Sequence, residues 1–154
     1  IPLHVVLYQP EIPSNTGNII RLCANTQVGL HLIEPIGFEL DDKKLRRAGL
    51  DYHEWATIHR YDQLSDFQHA NPNTQLIACS TKGHQRYDQF NYAAPFETAL
   101  LFGPETRGLP QDIINDNPSV YCPMAPNSRS LNLSNCVAVI LFEALRQRNH
   151  PHAR

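Results

Sequence analysis

Short apolar runs alternate with helix-like segments along this chain, and that alternation constrains the fold more than any other feature. Apolar and β-branched residues predict six strands: Leu3–Tyr8, Leu30–Ile33, Trp55–His59, Leu76–Cys79, Ala99–Phe102 and Val120–Cys122. Helical patterns lie between or after them: Thr16–Thr26, Asp41–Arg47, Gln63–Ala70, Gln111–Asn115 and a longer segment from Leu131 to Arg148. This order predicts an α/β fold whose mainly parallel sheet carries helices on both faces.

Length and composition indicate one soluble domain spanning residues 1–154, because 42% of the 154 residues are hydrophobic and 18% are charged. No apolar run approaches the ~20 residues that a membrane span requires, and Leu3–Tyr8 is too short for a signal peptide. We therefore expect a cytoplasmic protein. The net charge of −2 gives no overall attraction for nucleic acid, so local patches must hold any such partner.

The four cysteines are widely scattered and none belongs to a CxxC pair. We interpret them as small, reduced, buried side chains, and we expect neither a zinc site nor a disulfide framework. Only His150 and His152 lie close together among the histidines, near the C-terminus, so no metal site is predicted.

The last helical segment has almost no polar face between Leu133 and Leu145. A central core helix and a helix at a subunit interface both explain this pattern. The interface is slightly favoured, because a terminal helix rarely finds two covering layers in so small a domain.

The segment after the first predicted strand, Pro10–Arg21, is rich in polar residues. Ser14 or Asn15 can cap the following helix, whose free amides form an end that favours anions. Asn18, Arg21 and Asn25 then share one helical face. A solvated face would use Lys and Glu, so this stripe favours hydrogen bonding to a ligand.

Two later segments also carry more polar or small residues than a turn needs. In Leu100–Pro110, Gly103 follows a buried strand and allows a ligand to approach the backbone. Leu109 and Pro110 stand where a phosphate loop needs Lys and Ser or Thr, and no GxGxxG is present, which argues against nucleoside triphosphate and NAD sites. In Pro123–Asn135, polar side chains exceed the needs of one helix cap, which indicates a ligand or a buried network.

A basic run in Asp41–Arg47 forms either a local RNA-binding patch or a solvated, self-paired face. Its cations are Lys43, Lys44, Arg46 and Arg47.

Together and in this order, N-T-G-N-I-x-R at 15–21, L-F-G-P-E-x-x-G at 101–108 and S-x-N-x-S-N at 130–135 closely resemble the SPOUT superfamily of RNA methyltransferases. Further matches at Gly49–Glu54 and Thr81–Gly83 resemble its smallest members. Those bacterial enzymes methylate the ribose 2′-OH of the wobble nucleotide, a cytidine or modified uridine, in the anticodon loop of leucine tRNAs. The similarity covers essentially the whole chain.

The resemblance implies a C-terminal trefoil knot, a homodimer formed through the last helix, and S-adenosyl-L-methionine as cofactor without a metal. By motif position it implies these cofactor-binding residues: Cys79, Gly103, Cys122, Ser130 and Leu131. It likewise implies these catalytic residues: Asn18, Arg21, Glu105, Ser130 and Asn132. The RNA-binding residues expected are Arg21, Lys43, Lys44, Arg46, Arg47 and Arg129. Cys79 and Cys122 stand where relatives usually carry larger aliphatic residues.

Methyl transfer to a ribose hydroxyl needs positioning and a way to manage the hydroxyl proton. The resemblance gives that task to Arg21 as a base, whereas a guanidinium rarely deprotonates and is better suited to holding a phosphate or an alkoxide. Two alternatives stay open: a non-catalytic RNA-binding module of the same fold, and a SPOUT enzyme acting on another RNA site. A Cys or Ser hydrolase is not supported, because no nucleophile motif is present.

Overall fold

Every strand runs parallel to its neighbours in the computed structural model of this chain, which describes residues 2–55, 57–93 and 95–154. The seven described strands form one sheet in the order β3-β2-β1-β6-β4-β7-β5. Their bounds are β1 Leu3–Tyr8, β2 Gly29–Ile33, β3 His59–Tyr61, β4 Thr74–Cys79, β5 Gln85–Arg86, β6 Glu97–Phe102 and β7 Ser119–Tyr121.

Helices cover both faces of this sheet. Their bounds are α1 Pro13–Thr26, α2 Asp42–Arg47, α3 Tyr52–Trp55, α4 Leu64–Ala70, α5 Gln111–Asp116 and α6 Leu133–Gln147, with a 3-10 turn at Tyr87–Gln89. Alternate residues of β1 point to opposite faces, so Val5 belongs to the core beneath α1 and α6, and Val6 to the core beneath α4 and α5. The predicted α/β fold with a parallel sheet covered on both faces is confirmed.

One predicted strand is wrong. Trp55 ends α3, and β3 begins only at His59; Ala56 lies outside the described residues. The Asp51 amide donates to the Glu54 carboxylate, which favours a short helical turn, and this turn buries Trp55 in the core. Apolar character alone does not distinguish such a turn from a strand.

Other boundaries also move for identifiable reasons. Helix α1 begins at Pro13, where proline's missing N–H costs no hydrogen bond, and its cap position is Ile12 without a side-chain bond; Ser14 and Asn15 therefore do not cap it. Helix α6 begins at Leu133, because Asn132 caps it by accepting a hydrogen bond from Ser134 N at 2.9 Å. The polar strand β5 carries no apolar signal and was not expected from the sequence.

Within the described parts of the chain, we find no helix with the length and hydropathy that a membrane span requires.

A buried histidine cluster lies on the α4 face of the sheet. His31 shares hydrogen bonds with His4 Nδ1 and with the Tyr61 hydroxyl, each at 3.0 Å, and His4 Nε2 lies 3.3 Å from Glu97. Burial lowers the pKa of His31 to about 3, and the nearby His4 and His59 add to this effect. The folded state therefore keeps His31 neutral.

We expect this cluster to make stability depend on pH. The folded pKa of His31 lies below its unfolded value of about 6.5, so the unfolded chain takes up the proton first and stability falls as pH drops from about 6.5 toward 3. Between pH 7 and pH 5, wild type should lose about 1 to 2 kcal/mol more free energy of unfolding than His31→Phe, measured by urea denaturation. The exposed His69→Phe should behave like wild type; equal losses in wild type and His31→Phe would contradict this role.

Candidate active site

Loops that follow β4, β6 and β7 surround a cavity of about 290 Å³ at the carboxyl edge of the sheet. Ligands of parallel α/β folds bind at this edge. All five residues expected to hold a cofactor line the cavity: Cys79, Gly103, Cys122, Ser130 and Leu131. The structure thus brings together side chains that lie far apart in sequence.

Two glycines allow these loops to pack so closely. A Cβ at Gly83 would lie 2.3 Å from the Val120 carbonyl, and a Cβ at Gly103 would lie 2.5 Å from the Leu109 amide nitrogen. The sequence suggested that Gly103 leaves space for a ligand. Instead, the backbone of its own turn fills that space, although Gly103 still lines the cavity.

Glu105 connects the loop after β6 to the start of α1. Its carboxylate accepts hydrogen bonds from the amides of Glu11 at 2.8 Å and Ile12 at 2.9 Å, and from Asn15 Nδ2 at 3.2 Å. The anion-favouring end expected at this helix is therefore occupied by a side chain of the same protein. This geometry favours a positioning role for Glu105 over a catalytic one.

The connection is reciprocal. Glu11 accepts hydrogen bonds at 2.8 Å from both the amide and the hydroxyl of Thr106, and Arg107 Nε lies 3.4 Å from its other oxygen. These bonds, first among them that from the Thr106 amide, lower the pKa of Glu11. We call the two carboxylates and their partners the Glu11–Glu105 clasp.

A second cavity, of about 470 Å³, lies beside α1 and is lined by the polar stripe predicted from the sequence. Asn18, Arg21 and Asn25 all face it. Arg21 Nε donates to Glu54 at 3.1 Å, and its Nη2 donates to the Gly49 carbonyl. The guanidinium is therefore held in one orientation at the cavity wall.

Glu54 is a functional candidate that the sequence reasoning missed. It is buried, and it accepts a hydrogen bond from the Asp51 amide at 2.7 Å as well as from Arg21. These two bonds lower the pKa of Glu54, so it remains an anion that orients Arg21. The match at Gly49–Glu54 was the available signal, because both partners of Arg21 come from it.

The predicted catalytic residues do not meet in one place. Asn18 and Arg21 line the second cavity, Glu105 and Ser130 line the first, and Asn132 caps α6 outside both linings. The expected RNA-binding cations Lys43, Lys44, Arg46 and Arg47 are exposed on α2, where Lys44 pairs with Glu39 at 2.9 Å; Arg129 is exposed before α6. Any reaction that uses both cavities needs a substrate long enough to reach both.

Lys82 and Cys136 also line the first cavity, although neither was among the expected site residues. Lys82 follows β4 within the Thr81–Gly83 match, which was the signal that could have revealed it. Among the residues that the structure describes, no three His, Cys, Asp or Glu side chains are grouped so that they could hold a metal ion.

Comparison with known proteins decides the family. Residues 2–142 match the SpoU rRNA Methylase family. The chain belongs to the SpoU methylase family. The resemblance to RNA methyltransferases inferred from the three motifs is thereby confirmed.

Relatives of this SpoU methylase are similar over nearly their full length. It is 55% identical over 148 residues to the tRNA (cytidine(34)-2'-O)-methyltransferase of Aeromonas hydrophila, covering 94% of each chain. It is 51% identical over 154 residues to the enzyme of the same name from Escherichia coli strain K12, covering 98% of this chain and 97% of the other.

Solved structures agree with this assignment. A structure described as giving insights into the 2-OH methylation of C/U34 on tRNA matches the SpoU methylase with a TM-score of 0.86 and 41% identity, covering 96% of each chain. The SpoU methyltransferase AviRb from Streptomyces viridochromogenes, in complex with AdoMet, matches with a TM-score of 0.81 and 28% identity, covering 96% of this chain and 61% of that one.

The clasp gives a test of loop positioning. Glu105→Ala leaves two backbone amides and Asn15 without their acceptor, so we expect the free energy of unfolding to fall by about 1 to 3 kcal/mol in urea denaturation. Glu39→Ala removes an exposed carboxylate that pairs with Lys44 and should cost less than about 1 kcal/mol. Equal losses in both variants would contradict the clasp.

Proposed function

We propose that this SpoU methylase transfers a methyl group from S-adenosyl-L-methionine to the ribose 2′-OH of the wobble nucleotide in tRNA. Identity of 51 to 55% over nearly the whole chain, to enzymes that carry this activity in their names, is the observation that carries the proposal. We further propose leucine tRNAs with a cytidine or a modified uridine at the wobble position as substrates, on the resemblance to the smallest SPOUT enzymes.

The first cavity has the chemistry to hold this cofactor. Its wall combines apolar side chains, such as Phe102 and Ile140, with polar groups from Thr81, Lys82 and Ser130. S-adenosyl-L-methionine has both an aromatic base and a charged amino-acid end, so it needs both kinds of surface. Bound there, it would supply an electrophilic methyl group on a sulfonium, and a SpoU structure with AdoMet bound supports its use.

Arg21 is positioned to manage charge on the RNA. Guanidinium groups stay protonated at neutral pH, so we assign Arg21 to holding a phosphate or stabilising the developing alkoxide, rather than to removing the proton. Glu54 and the Gly49 carbonyl leave Nη1 of Arg21 for such a contact. Asn18 shares this cavity, and the α2 cations with Arg129 extend the RNA-binding surface that we propose.

We also propose a homodimer formed through α6, together with the C-terminal trefoil knot that the SPOUT resemblance implies. Val139 and Phe142 are 41% and 46% exposed on this helix, while Val137, Ile140 and Leu141 are buried in the core. The other side of α6 therefore presents apolar surface that a second copy would cover. The start of α6 also lines the first cavity, which links the proposed interface to the proposed cofactor site.

The reaction is tested by incubating the purified protein with total tRNA and S-adenosyl-L-methionine labelled on its methyl group, followed by nucleoside mapping. We expect label on the 2′-oxygen of the wobble nucleotide. Binding of tRNA without transfer would support the alternative of a non-catalytic module, and label at another RNA position would support a SPOUT enzyme with a different target.

Arg21→Ala should reduce turnover at least ~10²-fold while cofactor affinity stays near wild type, because Arg21 lines the second cavity and not the first. Arg21→Lys separates the two roles: a phosphate contact tolerates a point charge, whereas an oriented guanidinium does not. Arg86→Ala, which removes an exposed pair with Asp88, is the matched control. Wild-type turnover of Arg21→Ala with saturating tRNA would contradict both roles.

Val139→Glu should convert the dimer into a monomer, because it places a charge within the exposed apolar side of α6. Light scattering at micromolar concentration should give twice 17.5 kDa for wild type and 17.5 kDa for the variant. Gln68→Glu, an exposed change on α4, should leave the dimer intact. A wild-type protein that stays monomeric throughout this range would overturn the proposal.

A further inference from the structure

Three cysteines from different elements meet at the wall of the first cavity. Cys79 ends β4, Cys122 directly follows β7, and Cys136 lies in the first turn of α6. Cys79 is buried, whereas Cys122 and Cys136 are both partly exposed. The sequence suggested four separate buried thiols, but only Cys23, on α1, matches that description without lining this cavity.

Cys122 and Cys136 lie close enough for their thiols to interact directly. The Cys136 thiol hydrogen-bonds to the sulfur of Cys122, and this bond lowers the pKa of Cys122. The same bond, together with burial, raises the pKa of Cys136. The pair therefore contains one thiol that favours the nucleophilic thiolate, next to a second thiol that stays protonated.

Cys23 shows the contrast. Burial alone raises its pKa to about 12, and no second cysteine contributes to that shift. A buried thiol in such surroundings is inert toward oxidants. The arrangement at the cavity is thus a property of Cys122 and Cys136 and not of every cysteine in the chain.

We propose that Cys122 and Cys136 form a peroxide-sensitive pair that closes to a disulfide inside the cavity and prevents cofactor binding. The inference rests on the proposed function for the identity of the cofactor, but not for the thiol chemistry. It adds a redox-controlled modification site to the cavity.

The chemistry balances with hydrogen peroxide as the oxidant. The Cys122 thiolate attacks one peroxide oxygen, the O–O bond breaks, and hydroxide leaves with the electron pair, which gives a sulfenic acid at Cys122. The Cys136 sulfur then attacks the Cys122 sulfur, the S–O bond breaks, and the Cys136 proton leaves with the hydroxyl group as water. Both sulfurs are oxidised by one electron each, and the peroxide is reduced to two oxygens at the level of water.

Disulfide formation must change the cavity wall. Two sulfurs in non-bonded contact would move to a bond length of about 2.05 Å, with the dihedral angle that a disulfide requires. The link would tie the segment after β7 to the first turn of α6, and both of these segments line the cavity. A cofactor that needs the open cavity would bind only the reduced protein.

The test treats the full-length protein with hydrogen peroxide, blocks remaining thiols with N-ethylmaleimide, and identifies linked peptides by mass spectrometry. We expect a peptide pair joined through Cys122 and Cys136, and its loss after reduction with dithiothreitol. In Cys136→Ser, which lacks the second thiol, Cys122 should instead be trapped as a sulfenic acid by dimedone. Recovery of both thiols as the maleimide adduct, or links only to other cysteines, would overturn the inference.

Binding of S-adenosyl-L-methionine is measured in parallel by calorimetry. Affinity should fall at least about tenfold after peroxide treatment and return after dithiothreitol. Cys23→Ala, which leaves the pair intact, should respond like wild type. A disulfide that forms without loss of affinity would contradict the inference alone, whereas absence of binding by untreated protein would contradict the proposed function.

Discussion

Parallel pairing of β1 with β6 is the constraint on which the site depends. The register places Leu7 opposite Phe102, so the loops that follow both strands begin side by side at the carboxyl edge of the sheet. The Glu11–Glu105 clasp then joins these loops through hydrogen bonds in both directions. A slip in register would separate the carboxylates from the amides that they bind, and the start of α1 would lose its fixed position.

The clasp also explains why two cavities can act on one substrate. Glu105 lines the first cavity, and the helix whose start it binds carries Asn18 and Arg21 into the second. Arg21 is held in turn by Glu54, a buried anion from a separate segment. Positions on both sides are therefore set by backbone amides and buried carboxylates, and less by exposed ion pairs, whose geometry is weakly determined.

Much of the fold and the composition of the first cavity could be predicted from the sequence. Apolar runs indicate β1, β4 and β6 because buried parallel strands need them, and the motifs place Gly103 and Ser130 in the cavity. What could not be predicted depends on contacts between distant segments. Trp55 is apolar in a turn, and the partner of Arg21 lies 33 residues further along the chain, at Glu54. The meeting of Cys122 with Cys136 depends on the path between β7 and α6, which local periodicity does not encode.

The central claim is that the loops after β4, β6 and β7 form the cofactor site, while the Arg21 cavity serves the RNA. Hydrogen–deuterium exchange of the reduced protein, with and without S-adenosyl-L-methionine, tests this directly. The account predicts slower exchange confined to residues 79–83, 102–109 and 120–133, with the α1 face around Asn18 and Arg21 unchanged. Protection centred on residues 13–25 and 48–50, with none in the three loops, would contradict it.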